Sequence, residues 1–150
     1  MNSIHRRGIH ALGAALALAL AGCAGTGGSP GKMDRADPAA LEQLSEQRWR
    51  HLVAGEFDKA WEFFTPGYKA VEPKAAYVTA MKDRPVRWQG ADYQSHECPE
   101  PEACQVKVAV RFKVRVPVTG VGEVEATRVL TERWIFLDGQ WAYLPPEALR

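Results

Sequence analysis

The stretch Cys104–Pro117 reads CQVKVAVRFKVRVP. From Val106 to Val116 every second residue is apolar: Val106, Val108, Val110, Phe112, Val114 and Val116. Lys107, Ala109, Arg111, Lys113 and Arg115 occupy the positions between. Successive side chains of a strand point to opposite faces, so this period of two specifies a long strand with one apolar face and one largely cationic, solvated face. Such a strand is not stable alone. It requires paired neighbours and a cover over its valines.

The cover lies upstream. Asp37-Pro38 reads as an N-cap and first helical residue, and the helix runs to about Ala54 with Gly55 just past its end. Leu41, Leu44, Trp49, Leu52 and Val53 form its apolar stripe; Glu42, Glu46, Arg48 and Arg50 lie off it, as does a solvated His51. A second helix over Glu56 to Phe64 offers Phe57, Ala60, Trp61 and Phe64, and Thr65-Pro66-Gly67 ends it. A third, Pro73 to Met81, offers Ala76, Tyr77, Ala80 and Met81. Only strands follow. The expected class is therefore α+β, with three N-terminal helices packed on a curved antiparallel sheet of about four strands.

The first strand is Val86 to Cys98, with Gly90 at a bulge or bend. Pro99-Glu100-Pro101-Glu102 forms a hairpin tip before the central strand, and Thr119 to Gly122 forms a second turn. Glu123 to Leu137 is the third strand; Asp138-Gly139 is a strong type I′ signal, and Gln140 to Leu144 returns as the fourth. A register in which residue numbers sum to about 240 sets Arg115 opposite Glu125 and Lys113 opposite Thr127. Val116, Val114 and Val110 then meet Val124, Ala126 and Leu130. The same register puts Arg128 and Glu132 on the apolar face. Either a bulge in the third strand turns them outward, the preferred reading, or they enter a cavity beneath the helices.

The 150 residues are 46% apolar and 25% charged, with three cysteines, a composition that fits one globular domain. Part of the apolar content is not structural. Arg6 and Arg7 precede an uncharged Ala/Leu run, Gly8 to Ala21, which reads as an export signal too short to span a membrane. The residues that follow, Leu20-Ala21-Gly22-Cys23, resemble the lipobox of bacterial lipoproteins. That resemblance implies cleavage before Cys23 and acylation of Cys23, with palmitate-type chains inserted in the membrane. Alanine after Cys23 resembles the pattern sorted to the outer membrane. Each buried CH2 contributes about 0.8 kcal/mol, so several chains hold a soluble domain durably at a membrane surface. The expected organisation is a signal over 1–22, a lipidated Gly/Ser/Pro-rich tether over 23–36 and a folded domain over 37–150, at the periplasmic face of the outer membrane. Of 19 Lys and Arg, Arg6 and Arg7 leave with the signal, so 17 basic residues face 18 acidic ones. Nothing in that balance, or in export, favours nucleic acid as a partner.

With Cys23 acylated, Cys98 and Cys104 remain as a pair in an oxidising compartment, flanking a short tip, and a disulfide is the preferred reading. A metal site of the form His96-x-Cys98 with Cys104 is the alternative, but Glu97, Glu100 and Glu102 are poor companions for thiolates. The GGSPGK run at 27–32 lacks the Gly and Ser/Thr positions of a phosphate loop and follows no strand. The cationic face of the central strand could meet an anionic partner, though cross-strand pairing with Glu123 and Glu125 accounts for it.

Two further stretches, RWRHLVAGEFDKAWEFFTPGY (48–68) and TERWIFLDGQWAY (131–143), are similar to the helix–Gly–helix opening and closing hairpin of NTF2-like cone domains. The resemblance implies a cone-shaped cavity between helices and sheet. It leaves activity open, because the superfamily includes isomerases, dehydratases, transport factors and non-catalytic binding modules. Isomerase-like members imply a carboxylate base with a tyrosine and a protonated acid, for which Tyr68, Tyr77, Asp92 and Glu132 are the candidates; no spacing here matches that set. The expected pocket lining is Trp61, Tyr68, Tyr77, Arg128, Glu132 and Trp134, while Trp88, Trp134 and Trp141 read first as core. The sequence thus leans to a non-catalytic binding or envelope-accessory module without cofactor or metal, acting on a small ligand or envelope protein through its cone or an exposed sheet face. The alternative is an enzyme with an acid–base pair inside the cone. A hollow cone with two converging ionisable groups would point to catalysis, and one filled by Trp61, Phe64, Tyr77 and Trp134 away from it.

Overall fold

Four strands, β1 (Val86–Glu100), β2 (Ala103–Arg115), β3 (Glu123–Leu137) and β4 (Gln140–Leu144), pair antiparallel in chain order. The computed structural model describes residues 36–115 and 122–146; the signal, Cys23 and nearly all of the tether lie outside the described residues. The alternation of β2 sets its burial as expected: Cys104, Val106, Val108 and Val110 are buried while Lys107 and Arg111 are exposed. Asp138 and Gly139 both have positive φ, 52° and 80°, the backbone a type I′ turn needs.

The register differs from the expected one by two residues. Arg115 faces Glu123, Lys113 faces Glu125 and Val114 faces Val124. A two-residue slip keeps every side chain on its face, and the observed register matches two cations with two carboxylates where the expected one matches one. No bulge interrupts the β2–β3 pairing, so Glu132 and Arg128 stay on the inner face rather than turning out. The irregularities fall in β1 instead, between Trp88 and Gly90, Tyr93 and Ser95, and Glu97 and Glu100. Each bulge bends its strand and adds twist, which curls β1 toward the helices. The hairpin joining β1 to β2 is closed by a disulfide between Cys98 and Cys104.

Four helices, not three, precede the sheet: α1 (Ala40–Val53), α2 (Phe57–Trp61), α3 (Pro66–Val71) and α4 (Lys74–Lys82). The extra element is α3. Thr65-Pro66-Gly67 ends one helix but also starts another, with Thr65 as N-cap, its hydroxyl accepting from the Tyr68 amide, and Pro66 in the first turn. Between α2 and α3 the chain runs straight against β4, where the Thr65 amide donates to the Tyr143 carbonyl and the Tyr143 amide to that of Phe63. Gly55, at φ 71°, ends α1 in the left-handed conformation. His51 is not solvated: its Nδ1 lies 2.7 Å from Glu56 Oε2 and its ring packs near Phe63. α1 lies across β1, and Leu41, Leu44, Trp49 and Leu52 join Val106, Val108 and Trp134 in the core.

Candidate functional site

A buried carboxylate organises the inner face. Glu132 is 3% exposed and accepts four hydrogen bonds. Arg48 Nη1 at 2.6 Å and Trp49 Nε1 at 2.8 Å reach one oxygen; Ser45 Oγ and Trp134 Nε1, both at 3.0 Å, reach the other. Ser45, Arg48 and Trp49 stand at i, i+3 and i+4 on α1 and therefore share a face. Arg48 is not off the apolar stripe as the sequence suggested; it sits within it, four residues from Leu44 and from Leu52 and 6% exposed. Its Cζ lies 3.8 Å from the centroid of Tyr143 and 5.7 Å from that of Phe64. A carboxylate has about four acceptor sites, so Glu132 is saturated. Arg48 is not: its Nε is buried without an acceptor among the described residues.

Beside this pair the cone is hollow. A cavity of about 480 Å³ opens between α1, α3, α4 and the sheet. Val86, Trp88, Val110, Phe112 and Leu130 of the sheet give it an apolar surface. The rest of the lining is largely polar. Three tyrosines ring Phe64, with centroids 4.3 Å away for Tyr68, 5.1 Å for Tyr77 and 5.4 Å for Tyr143, and all three border the cavity with Arg48 and Arg84. Burial pushes all three phenols up, Tyr77 to about 12, against the opposing pull of Arg48 and Arg84. Arg128, Glu72 and Thr131 also line it.

Of the residues singled out in the sequence, Tyr68, Tyr77, Arg128 and Glu132 border the cavity and Trp61 and Trp134 do not. Trp134 is wholly buried, and its indole supports Glu132. Trp61 lies away from the cone, donating to the Glu72 carbonyl with Lys69 and Lys74 over its ring. Trp88 lines the cavity, whereas Trp141 is core. Asp92 faces outward and pairs with Arg111. His96 Nδ1 lies 2.7 Å from the Tyr93 hydroxyl, and Cys98 and Cys104 are bonded to each other, so the His-Cys-Cys metal alternative has lost its thiolates. The cationic face of β2 is matched across strands by Glu97 on Lys107, Asp92 on Arg111 and Glu125 on Lys113. Arg48, Arg84 and Tyr143 were missed as cavity residues. The signal for Arg48 was present: a charge inside the α1 stripe, with an unmatched acid on the inner face of β3.

The fold is α+β, helices packed over a four-stranded antiparallel sheet with a cavity between them. The solution structure of a SEC-C motif containing protein from Rhodopseudomonas palustris superposes with a TM-score of 0.52 at 15% identity, over 72% of this chain and 75% of that one. A structure from Catenulispora acidiphila gives 0.47 at 14% identity over 70% and 84%. A function unknown protein from Mycobacterium tuberculosis gives 0.38 at 14% over 71% and 72%. No protein-family model and no curated protein matches the chain.

Proposed function

We propose that the chain is a non-catalytic ligand-binding module held at the bacterial envelope by a lipid on Cys23. One observation carries the binding reading: the cone is hollow, yet its buried acid is already spent. Glu132 and Arg48 converge on the cavity, which by itself would suit catalysis. They are bonded to each other, however, and Glu132 has four donors on its two oxygens. A general base needs a free lone pair within reach of the substrate proton. The other acid considered, Asp92, is on the far face of the sheet against Arg111. A cavity of this size, with an apolar wall and a few polar groups, suits a small molecule.

The lipid anchor is supported by the order of basic start, apolar run, LAGC at 20–23 and tether. Among the described residues no helix is long and apolar enough to cross a membrane, so in this reading attachment rests on Cys23. Two measurements test the proposal. Cys23→Ser should abolish labelling by a palmitate analogue and release the protein from membranes; a variant still acylated and membrane-bound would refute the anchor. Leu130→Trp should fill the cavity and abolish small-molecule binding while leaving circular dichroism unchanged. Binding that survives Leu130→Trp would place the ligand elsewhere.

A further inference from the structure

The hydrogen-bond inventory of the polar wall is one-sided. A buried tyrosine ordinarily finds a partner for its hydroxyl. Here the hydroxyls of Tyr68, Tyr77 and Tyr143 have no protein partner among the described residues, and none is sealed from the cavity. Arg84 also borders the cavity, is exposed, and forms no ion pair among the described residues. Of the acids in the lining, Glu132 is saturated, and the one other, Glu72, is outnumbered there by Arg84 and Arg128. The lining therefore offers donors and a surplus of positive charge, with Glu72 as its one acid not already bonded. The same lining includes the hydrocarbon and aromatic surface of Trp88, Phe112 and Leu130.

The cavity also continues outward on its basic side. A groove around the β1 edge shares Leu52, Met81, Arg84, Val86 and Trp88 with it and adds Lys82, Arg87, Lys113 and Arg115 against a single acid, Glu123. Arg87 stands directly opposite Lys113 across the strands. Like charges so placed are destabilising, and Lys113 has its own partner in Glu125, which leaves Arg87 free. An anion approaching the cavity mouth is thus attracted, and a cation repelled.

Resting on the reading of the cone as a ligand site, we propose that the cavity selects a small anionic amphiphile of the fatty-acid class. Its carboxylate is held by Arg84 and the tyrosine hydroxyls, and its hydrocarbon body lies on Trp88, Phe112 and Leu130. Loss of one hydrogen bond to the charged group costs about tenfold or more in affinity.

The test uses the full chain bearing Cys23→Ser, which removes competing acyl chains, and reads binding by isothermal titration calorimetry, with the change in tryptophan fluorescence, to which Trp49 and Trp88 in the cavity wall contribute, as a second readout. Decanoate, decanol, decyltrimethylammonium and acetate are titrated below their aggregation limits. Decanoate should bind at least tenfold more tightly than decanol; decyltrimethylammonium should bind more weakly than either, and acetate should not bind measurably. Arg84→Gln, at an exposed position, should reduce decanoate affinity about tenfold and leave decanol unchanged, and Leu130→Trp should abolish both. Equal binding of decanoate and decanol, insensitive to Arg84→Gln, overturns the anion inference while leaving the cavity as a ligand site. Binding of no probe at all overturns both, as does decanoate binding that Leu130→Trp leaves intact.

Discussion

At one end of the β2–β3 hairpin Val106 faces Glu132, and at the other Val114 faces Val124. The strands, the pairing and the alternation are the same, yet the burial is opposite: Val106 and Glu132 are sealed, whereas Val124 is 39% exposed and Val129 57%. The helices account for the difference. α1 and the aromatic residues of α2 to α4 lie over the first end, and β3 from Glu123 to Val129 is exposed throughout. Alternation states which residues share a face; only the length and placement of the covering elements state whether that face is dry. The ion pairs of the two ends differ accordingly. Arg48–Glu132 lies in the core with four donors on one carboxylate, and Lys113–Glu125 lies in solvent at 2.7 Å.

The largest effect that could break this contrast is loss of the buried acid. Glu132→Ala should destabilise the domain by about 3–5 kcal/mol, because it leaves Arg48 and two indoles in the core without their acceptor. Denaturant midpoints of Glu132→Ala and of Glu125→Ala measure it. Comparable small shifts for the two variants would mean that the covered end is wetter than its geometry. Second in size is alkaline unfolding. Tyr77, on the covering helix α4, keeps its proton to about 12 when folded, against 10 in the unfolded chain. Its contribution is whole below pH 10 and is lost as the pH rises toward 12. That interval corresponds to about 3 kcal/mol. Tyr77→Phe should flatten the fall in stability between pH 9 and 11.5; an unchanged slope would show that the phenol is solvated.

How the covered end was missed in the sequence has a physical reason. The β2 alternation, the Asp138-Gly139 turn, the irregularity at Gly90 and the disulfide partners are local patterns, and each was legible. Arg48 and Glu132 are each a violation when read alone: a charge in an apolar stripe, an acid on an apolar face. Their explanation lies 84 residues apart in the chain, and a violation read singly invites a local remedy such as a bulge. Read together, they point to each other. The α3 helix was hidden differently, since Thr-Pro-Gly stops one helix with the same chemistry that starts the next. The cavity was legible only through the family resemblance, which named Tyr68, Tyr77, Arg128 and Glu132 of its lining, and not through any spacing in the chain. It is the space left over among Tyr68, Tyr77, Trp88 and Leu130, which come from four elements, and no spacing in the chain encodes a remainder.

The smallest expected effect is at the open end, and it tests whether register there depends on charge. Lys113 is held above its usual range by the hydrogen bond and charge of Glu125, with Arg87 opposing. Both side chains of the pair are in water, where salt screens the attraction and fixing long side chains costs entropy. Lys113→Met should therefore leave the denaturant midpoint within error at physiological ionic strength. Exchanging the signs, Lys113→Glu with Glu125→Lys, should be equally silent, because the register is already pinned by the buried alternation from Cys104 to Val110 and by Glu132. Loss of cross-strand contacts between Val114 and Val124 in the exchanged variant, seen by nuclear Overhauser effects, would show the open end setting its own register. Retained contacts would show that the covered end sets register for the whole hairpin.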